Sequence, residues 1–134
     1  MTDDETRRFL SHANGVSVPF QAGHWTQIAI AEPGTDRLIG DMGLHQSKDG
    51  STAELGVTIS RSFQRQGHAS AAMKLAINLA RGTDGINRII CGADARNTAS
   101  LAMIEKLGFI WTHDEPAQDG QTDCMYELPG EQSA

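Results

Sequence analysis

The stretch "SRSFQRQGHASAAMKLA", residues 60–76, joins a strand-like run that ends at Ile59 to a helix-like run that opens near His68. The turn between them carries Arg61, Gln64, Arg65, Gln66 and a single glycine, Gly67. A tight turn opening a helix leaves several backbone N–H groups without partners, and they point outward from the positive end of the helix dipole. Such a place holds anions. Gly67 removes a side chain where a phosphate must come close, and Arg61 and Arg65 add positive charge, so a pyrophosphate is the natural occupant. The Walker A pattern requires Gly-Lys-Ser/Thr and the dinucleotide fingerprint requires three glycines; neither occurs. On spacing alone, a turn that serves only packing remains an alternative.

The rest of the chain limits what this turn can belong to. With 134 residues the sequence is about one domain long, one unit over 1–134 with a tail at 129–134 expected to be mobile. Its formal charge of -6 leaves no general basic surface, so nucleic acid is not an expected partner and any anion site must be local. No run approaches the roughly 18 apolar residues that span a membrane, and "MTDDETRRFL" is acidic where a signal peptide would be basic. A cytoplasmic location is the expectation. Cys91 and Cys124 fall inside strand-like runs and read as buried thiols rather than a disulfide. His12, His24, His45, His68 and His113 lack metal-ligand spacing, so no metal site is expected. Trp25 and Trp111 read as core or edge residues rather than a ligand platform.

The elements that must position the turn follow from periodicity. A short helix is predicted over residues 3–13, with Phe9 and Leu10 inward after a Thr2–Glu5 capping pair. "WTQIAIAE" (25–32) and "RLIGDMGLH" (37–45) read as a hairpin about Pro33-Gly34, and an Asp49-Gly50 turn leads into "AELGVTIS". In that third strand Leu55, Val57 and Ile59 share one face, while Glu54, Gly56, Thr58 and Ser60 share the other. One face is core and the other is available for chemistry. Over 68–81 the polar residues Ser70, Lys74, Asn78 and Arg81 recur on a helix otherwise filled by apolar residues and ended by Gly82. "INRIICGAD" is a strand, and Asn97 is a good N-cap for "TASLAMIEKL" with its inward Leu101, Ile104 and Leu107. Gly108 fits a left-handed helix end. Strands near 109–113 and 122–128 enclose the polar loop "DEPAQDGQ". Strand, helix, strand connections imply a parallel pair, and hairpins imply antiparallel neighbours: a mixed α/β (α+β) sheet.

Two segments together resemble a known family. "QRQGHA", Gln64 to Ala69, matches the Q/R-x-x-G-x-G/A signature of the GNAT superfamily of N-acetyltransferases, and "NTASLAMIEKLGF", Asn97 to Phe109, looks like that family's second motif. "LIGDMGL" and "AELGV" precede them in the family order. The likeness is nearest to the branch of ribosomal-protein N-terminal and small-amine acetyltransferases, and covers about residues 5–128. Family members begin with a further strand and helix, so the resemblance places the start of this chain after them.

The resemblance implies a sheet with a splayed parallel pair and direct transfer of acetyl from acetyl-CoA to a primary amine of a small molecule or a peptide N-terminus. Backbone amides of Gln66, Gly67, His68, Ala69 and Ser70 would hold the pyrophosphate, with Arg61, Gln64 and Arg65 beside them. The strand equivalent to "VTIS", Val57 to Ser60 with Ile59 and Ser60 at its end, would offer backbone groups to the pantetheine and the acetyl carbonyl, and an N–H there would stabilise the developing oxyanion. Asn97 and Ser100 stand where relatives contact the pantetheine arm or thiol, although both also suit a helix start. Glu54 occupies the position of a proposed general base, and Ser100 is the other catalytic candidate; a solvated strand glutamate is the alternative for Glu54. Relatives often carry a tyrosine acid seven residues after the motif asparagine, where this chain has Ile104. A CoA-binding regulatory module without turnover is the rival. A second copy covering an exposed sheet edge would make a homodimer.

Overall fold

The computed structural model describes residues 20–32, 34–60, 64 and 67–130. The helix predicted over 3–13 lies outside them, as do Arg61, Arg65, Gln66 and most of the tail. The elements run β1 Trp25–Ala31, β2 Leu38–Gln46, β3 Thr52–Ile59, α1 His68–Arg81, β4 Arg88–Asp94, α2 Thr98–Lys106, β5 Ile110–Pro116 and β6 Thr122–Leu128. They form one six-stranded sheet in the order β1-β2-β3-β4-β6-β5. All neighbours are antiparallel except β3 and β4, which α1 connects as a parallel pair. The mixed sheet expected from the sequence is therefore present.

Alternation along the strands separates two faces. Ile28 and Ile30 of β1, Met42 and Leu44 of β2, Leu55 and Ile59 of β3, and Ile89 and Cys91 of β4 point to one side and are buried. On that side α1 lays down Met73, Leu75, Ala76, Ile77 and Ala80, while Lys74, Asn78 and Arg81 face solvent. Ile104 of α2, with Phe109 and Tyr126, completes the same core. The opposite face carries Trp25, Asp41, His45, Glu54 and Thr58, all partly or well exposed.

Two glycines are fixed by this packing. At Gly40 a Cβ would collide with the Thr58 carbonyl oxygen across the ladder. Gly108 follows the last turn of α2 at φ 103° and lets Phe109 N–H return to the Ile104 carbonyl at 3.3 Å. Replacing Gly108 with Ala is expected to lower stability by about 1 kcal/mol, read as the denaturant midpoint at unchanged slope. At the β2–β3 turn Asp49 accepts bonds from Ser47 Oγ and from Ser51 N and Oγ, which hold its carboxyl down at about 2. A depressed carboxyl stabilises the fold above its unfolded pKa, so this support is lost as pH falls from about 4 toward 2.

One expectation is corrected. The polar segment expected to be a loop over 114–121 is strand as far as Pro116, because Asp114, Glu115 and Pro116 pair with Cys124, Asp123 and Thr122. β5 is the sheet edge and exposed along its length, so no buried alternation marks it, and a proline is tolerated there.

Candidate active site

β3 and β4 are registered only from Thr52↔Arg88 to Leu55↔Cys91, although β3 continues to Ile59 and β4 to Asp94. Past that last pair the two strands splay. A cavity of about 620 Å³ sits against the opening, walled by the end of β3, the start of α1 and the start of α2. A smaller one of about 40 Å³, lined by Gly56, Cys91, Gly92 and Ile104 among others, lies inside the splay. The two share Val57, Ser100 and Met103.

One end of the larger cavity is the turn singled out from the sequence. Gly67 is the N-cap of α1 at φ 83° and carries no capping side chain. A Cβ there would meet nothing within 4 Å, so the glycine is required by backbone conformation and leaves its outer side open. First-turn amides have no partner inside a helix, and those of Ala69 and Ser70 belong to residues that line the cavity. Gln64 also lines it, and its Nε2 donates to the Ile59 carbonyl at 3.0 Å, tying the turn back to β3.

The second wall is the start of α2. Asn97 Oδ1 accepts from Ser100 N at 3.1 Å, so Asn97 is a helix cap and a lining residue at once. Arg96, beside it, donates Nε and Nη2 to the two Asp94 carboxylate oxygens at 2.9 and 2.8 Å, which holds that carboxyl down at about 2. The guanidinium is thus oriented at the rim of the cavity. The sequence reading did not single out Arg96; its adjacency to Asn97 was the available signal.

Strand phase decides which backbone groups reach the splay. Ser60 N donates to Ile39 O at 2.7 Å and Ser47 N to Thr52 O at 2.9 Å, so the even-numbered residues of β3 direct their polar groups to β2. The odd-numbered ones, Val57 and Ile59, direct theirs toward β4, where no strand partner remains. Ser60 is therefore placed apart from the cavity, with its N–H engaged by Ile39, and His68 is not a lining residue either. Within the "VTIS" strand singled out from the sequence, it is Val57 and Ile59 whose backbone groups face the opening.

Glu54 lies on the other face, directly across from His45. It is half-buried, and burial raises its carboxyl above the ordinary value, with Glu115 adding to the rise and His45 opposing it. Cys91 is the nearest thiol to the splay; burial, with the Glu54 charge, pushes it up to about 12, so it is neutral. Among the described residues no group of three His, Cys, Asp or Glu could hold a metal, and no helix is long and apolar enough to cross a membrane.

Several known proteins are similar to this chain. The chain is 27% identical over 106 residues to an uncharacterized N-acetyltransferase, p20, of Bacillus licheniformis, covering 78% of this chain and 58% of that protein. It superposes on a GNAT-family acetyltransferase of Bacillus anthracis with TM-score 0.68 at 20% identity, over 76% of this chain and 64% of that one. It superposes on yncA of Salmonella typhimurium, whose structure contains its cofactor acetyl-CoA, with TM-score 0.66 at 23% identity, over 82% and 68% of the two chains. The chain thus spans about three-fifths of the length of the first of these relatives. The model of the acetyltransferase (GNAT) domain matches residues 1–110, and with the splayed parallel pair and the glycine-capped turn this places the chain in the GNAT acetyltransferase family.

Proposed function

We propose that the chain is an acetyl-CoA-dependent N-acetyltransferase that moves acetyl directly to a primary amine of a small molecule or peptide N-terminus. The observation that carries this reading is one cavity running from an uncapped helix start to the splay of β3 and β4, with a perturbed carboxylate on the far side of the sheet. The motif likeness to the ribosomal-protein and small-amine branch points the same way.

In this reading the amides of Gln66 through Ser70 bind the pyrophosphate, and Arg61, Arg65 and the fixed Arg96 supply positive charge near it. Asn97 and Ser100 line the path of the pantetheine arm. The N–H of Val57 faces the splay and stabilises the oxyanion that develops on the carbonyl. Glu54 takes a proton from the incoming ammonium, directly or through one water, and its raised pKa suits that task. Acetyl-CoA supplies an activated carbonyl: the C–N bond forms as the C–S bond breaks, the thiolate departs, and the second proton on nitrogen passes to the thiolate or to water. A thiol pKa near 8.5 makes that departure feasible without a strong acid, so the aliphatic Ile104, 4% exposed, need not be replaced by a tyrosine. Ile104 supplies no proton, and this favours the rival reading of a CoA-binding module without turnover.

Release of free CoA thiol, followed across a panel of primary amines, tests the proposal. Amine-dependent release with an acetylated product supports it; binding of acetyl-CoA without release across the panel selects the rival. Burial of Cys91 and its raised pKa disfavour a covalent relay through it. Intact-mass measurement after incubation with acetyl-CoA is expected to show no acetylated protein, and Cys91→Ala is expected to retain most of the turnover. An acetyl adduct lost in that variant would replace direct transfer with a two-step route.

A further inference from the structure

On the face away from the helices, three glycines line up across the three central strands. Gly43 of β2 is paired with Gly56 of β3, and Gly92 of β4 follows Cys91, the last residue registered with β3. Their surroundings differ. A Cβ on Gly43 would stand 3.3 Å from the benzo edge of the Trp25 indole and 3.2 Å from the Gln27 amide nitrogen. A Cβ on Gly92 would stand 2.6 Å from the Met125 sulfur. Gly56, between them, has nothing within 4 Å. Backbone therefore floors a slot whose walls are an indole and a thioether. Gly43 and Gly56 are one strand spacing apart, about 4.8 Å, and the opening of β3 from β4 sets the wider gap to Gly92.

One end of the slot is polar. Trp25, His45 and Glu54 stand in one cross-strand row, and the Trp25 and His45 rings are 4.9 Å apart. Trp25 is 53% exposed, and the benzo edge of its ring stands over Gly43. Glu54 precedes Gly56 by two residues on the same face, about 6.7 Å along the strand, within reach of a group lying over Gly56. Asp41 shares that face, and Glu115 adds to its negative field. Gly56 also lines the small cavity in the splay, which meets the large cavity at Val57, Ser100 and Met103. The slot and the cavity therefore meet at Gly56.

We propose that this slot is the acceptor subsite and that it selects primary alkylammonium ions whose carbon next to nitrogen is unbranched, with Trp25 and Glu54 holding the cation and Gly56 setting the steric limit. The inference rests on the acetyl-transfer reading and narrows it. An indole face and a carboxylate together recognise an ammonium, and a negative face disfavours a substrate carboxylate. A branch at the first carbon points into the wall of Trp25 or Met125. Peptide N-termini other than glycine are branched there and are excluded.

The test uses the full chain carrying Trp111→Phe, so that Trp25 is its sole tryptophan, and titrates its fluorescence with n-butylammonium and with sec-butylammonium chloride. A saturable response with at least about tenfold preference for the straight chain is expected, the discrimination that one misplaced methyl group supports in a tight pocket. Gly56→Val, whose side chain suits a strand and enters open space, is expected to abolish that response while circular dichroism and acetyl-CoA affinity stay unchanged. Equal responses to the two amines, no response to either, or a full response in Gly56→Val would each overturn the slot. Thiol release separates the two ideas. A selective fluorescence response without amine-dependent release leaves the slot standing and removes the acetyl-transfer reading. Equal kcat/KM for straight and branched amines keeps that reading and removes the slot.

Discussion

Glu54→Gln is expected to lower kcat/KM for an amine acceptor by about 10² to 10⁴ while leaving acetyl-CoA affinity unchanged. The reason is positional as well as electrostatic. Glu54 sits on the open face of β3 and does not line the large cavity, so in the proposed reaction it meets an amine without touching the acetyl-CoA side. Burial raises its pKa and Glu115 assists, so the acid limb of the kcat/KM profile is expected above the ordinary glutamate value of 4.5 and to disappear in the variant. The same shift makes a stability prediction of known sign. A carboxyl whose folded pKa exceeds its unfolded one binds its proton more tightly in the native state, so stability falls as pH rises between the two values. At neutral pH the charged Glu54 is a net destabilising group, and the variant is expected to melt no lower than the parent. A loss of activity below about fivefold, or an acid limb that survives the substitution, would remove Glu54 from the role of base.

Gly67→Val is expected to raise the Kd for acetyl-CoA at least about tenfold, or 1.4 kcal/mol, with the protein still folded. Two effects act together. The φ of 83° is strained for any residue with a Cβ and most of all for a β-branched one, so the loop shifts and its amides lose alignment. A side chain would also fill the open space where the phosphate oxygens approach. Gly67→Ala carries the strain with less bulk and is expected to lie between the two. The core does not depend on this position, since no atom lies within 4 Å of the added carbon. Calorimetry and circular dichroism on one sample separate loss of ligand from loss of fold. Unchanged affinity would remove the turn from the nucleotide site.

Local signals in the chain were sufficient for much of this architecture. The helix over 68–81 and the strand over 122–128 match their predicted bounds, because periodic apolar residues and flanking glycine or polar turns mark them. The face assignment on β3 also holds: Leu55 and Ile59 are buried, while Glu54 and Thr58 are not. What escaped depends on relations between strands. Which residues of "VTIS" turn their backbone groups to the splay, Val57 and Ile59 rather than Thr58 and Ser60, follows from the hydrogen-bond phase of β2 against β3, which no single strand records. The alignment of Gly43, Gly56 and Gly92 is likewise a matter of register. Arg96 was overlooked because its orientation comes from Asp94 at the end of the preceding strand. Trp25 has the edge position expected of it, on β1, and what register alone shows is that its half-exposed ring lies over a glycine whose missing side chain makes room for it.

The measurement that bears most directly on the central claim is calorimetric titration of the folded chain with acetyl-CoA, with ATP and NAD as controls. The account predicts saturable one-to-one binding of acetyl-CoA and no comparable binding of the other two. A folded sample that does not bind acetyl-CoA, or that binds all three alike, would contradict it.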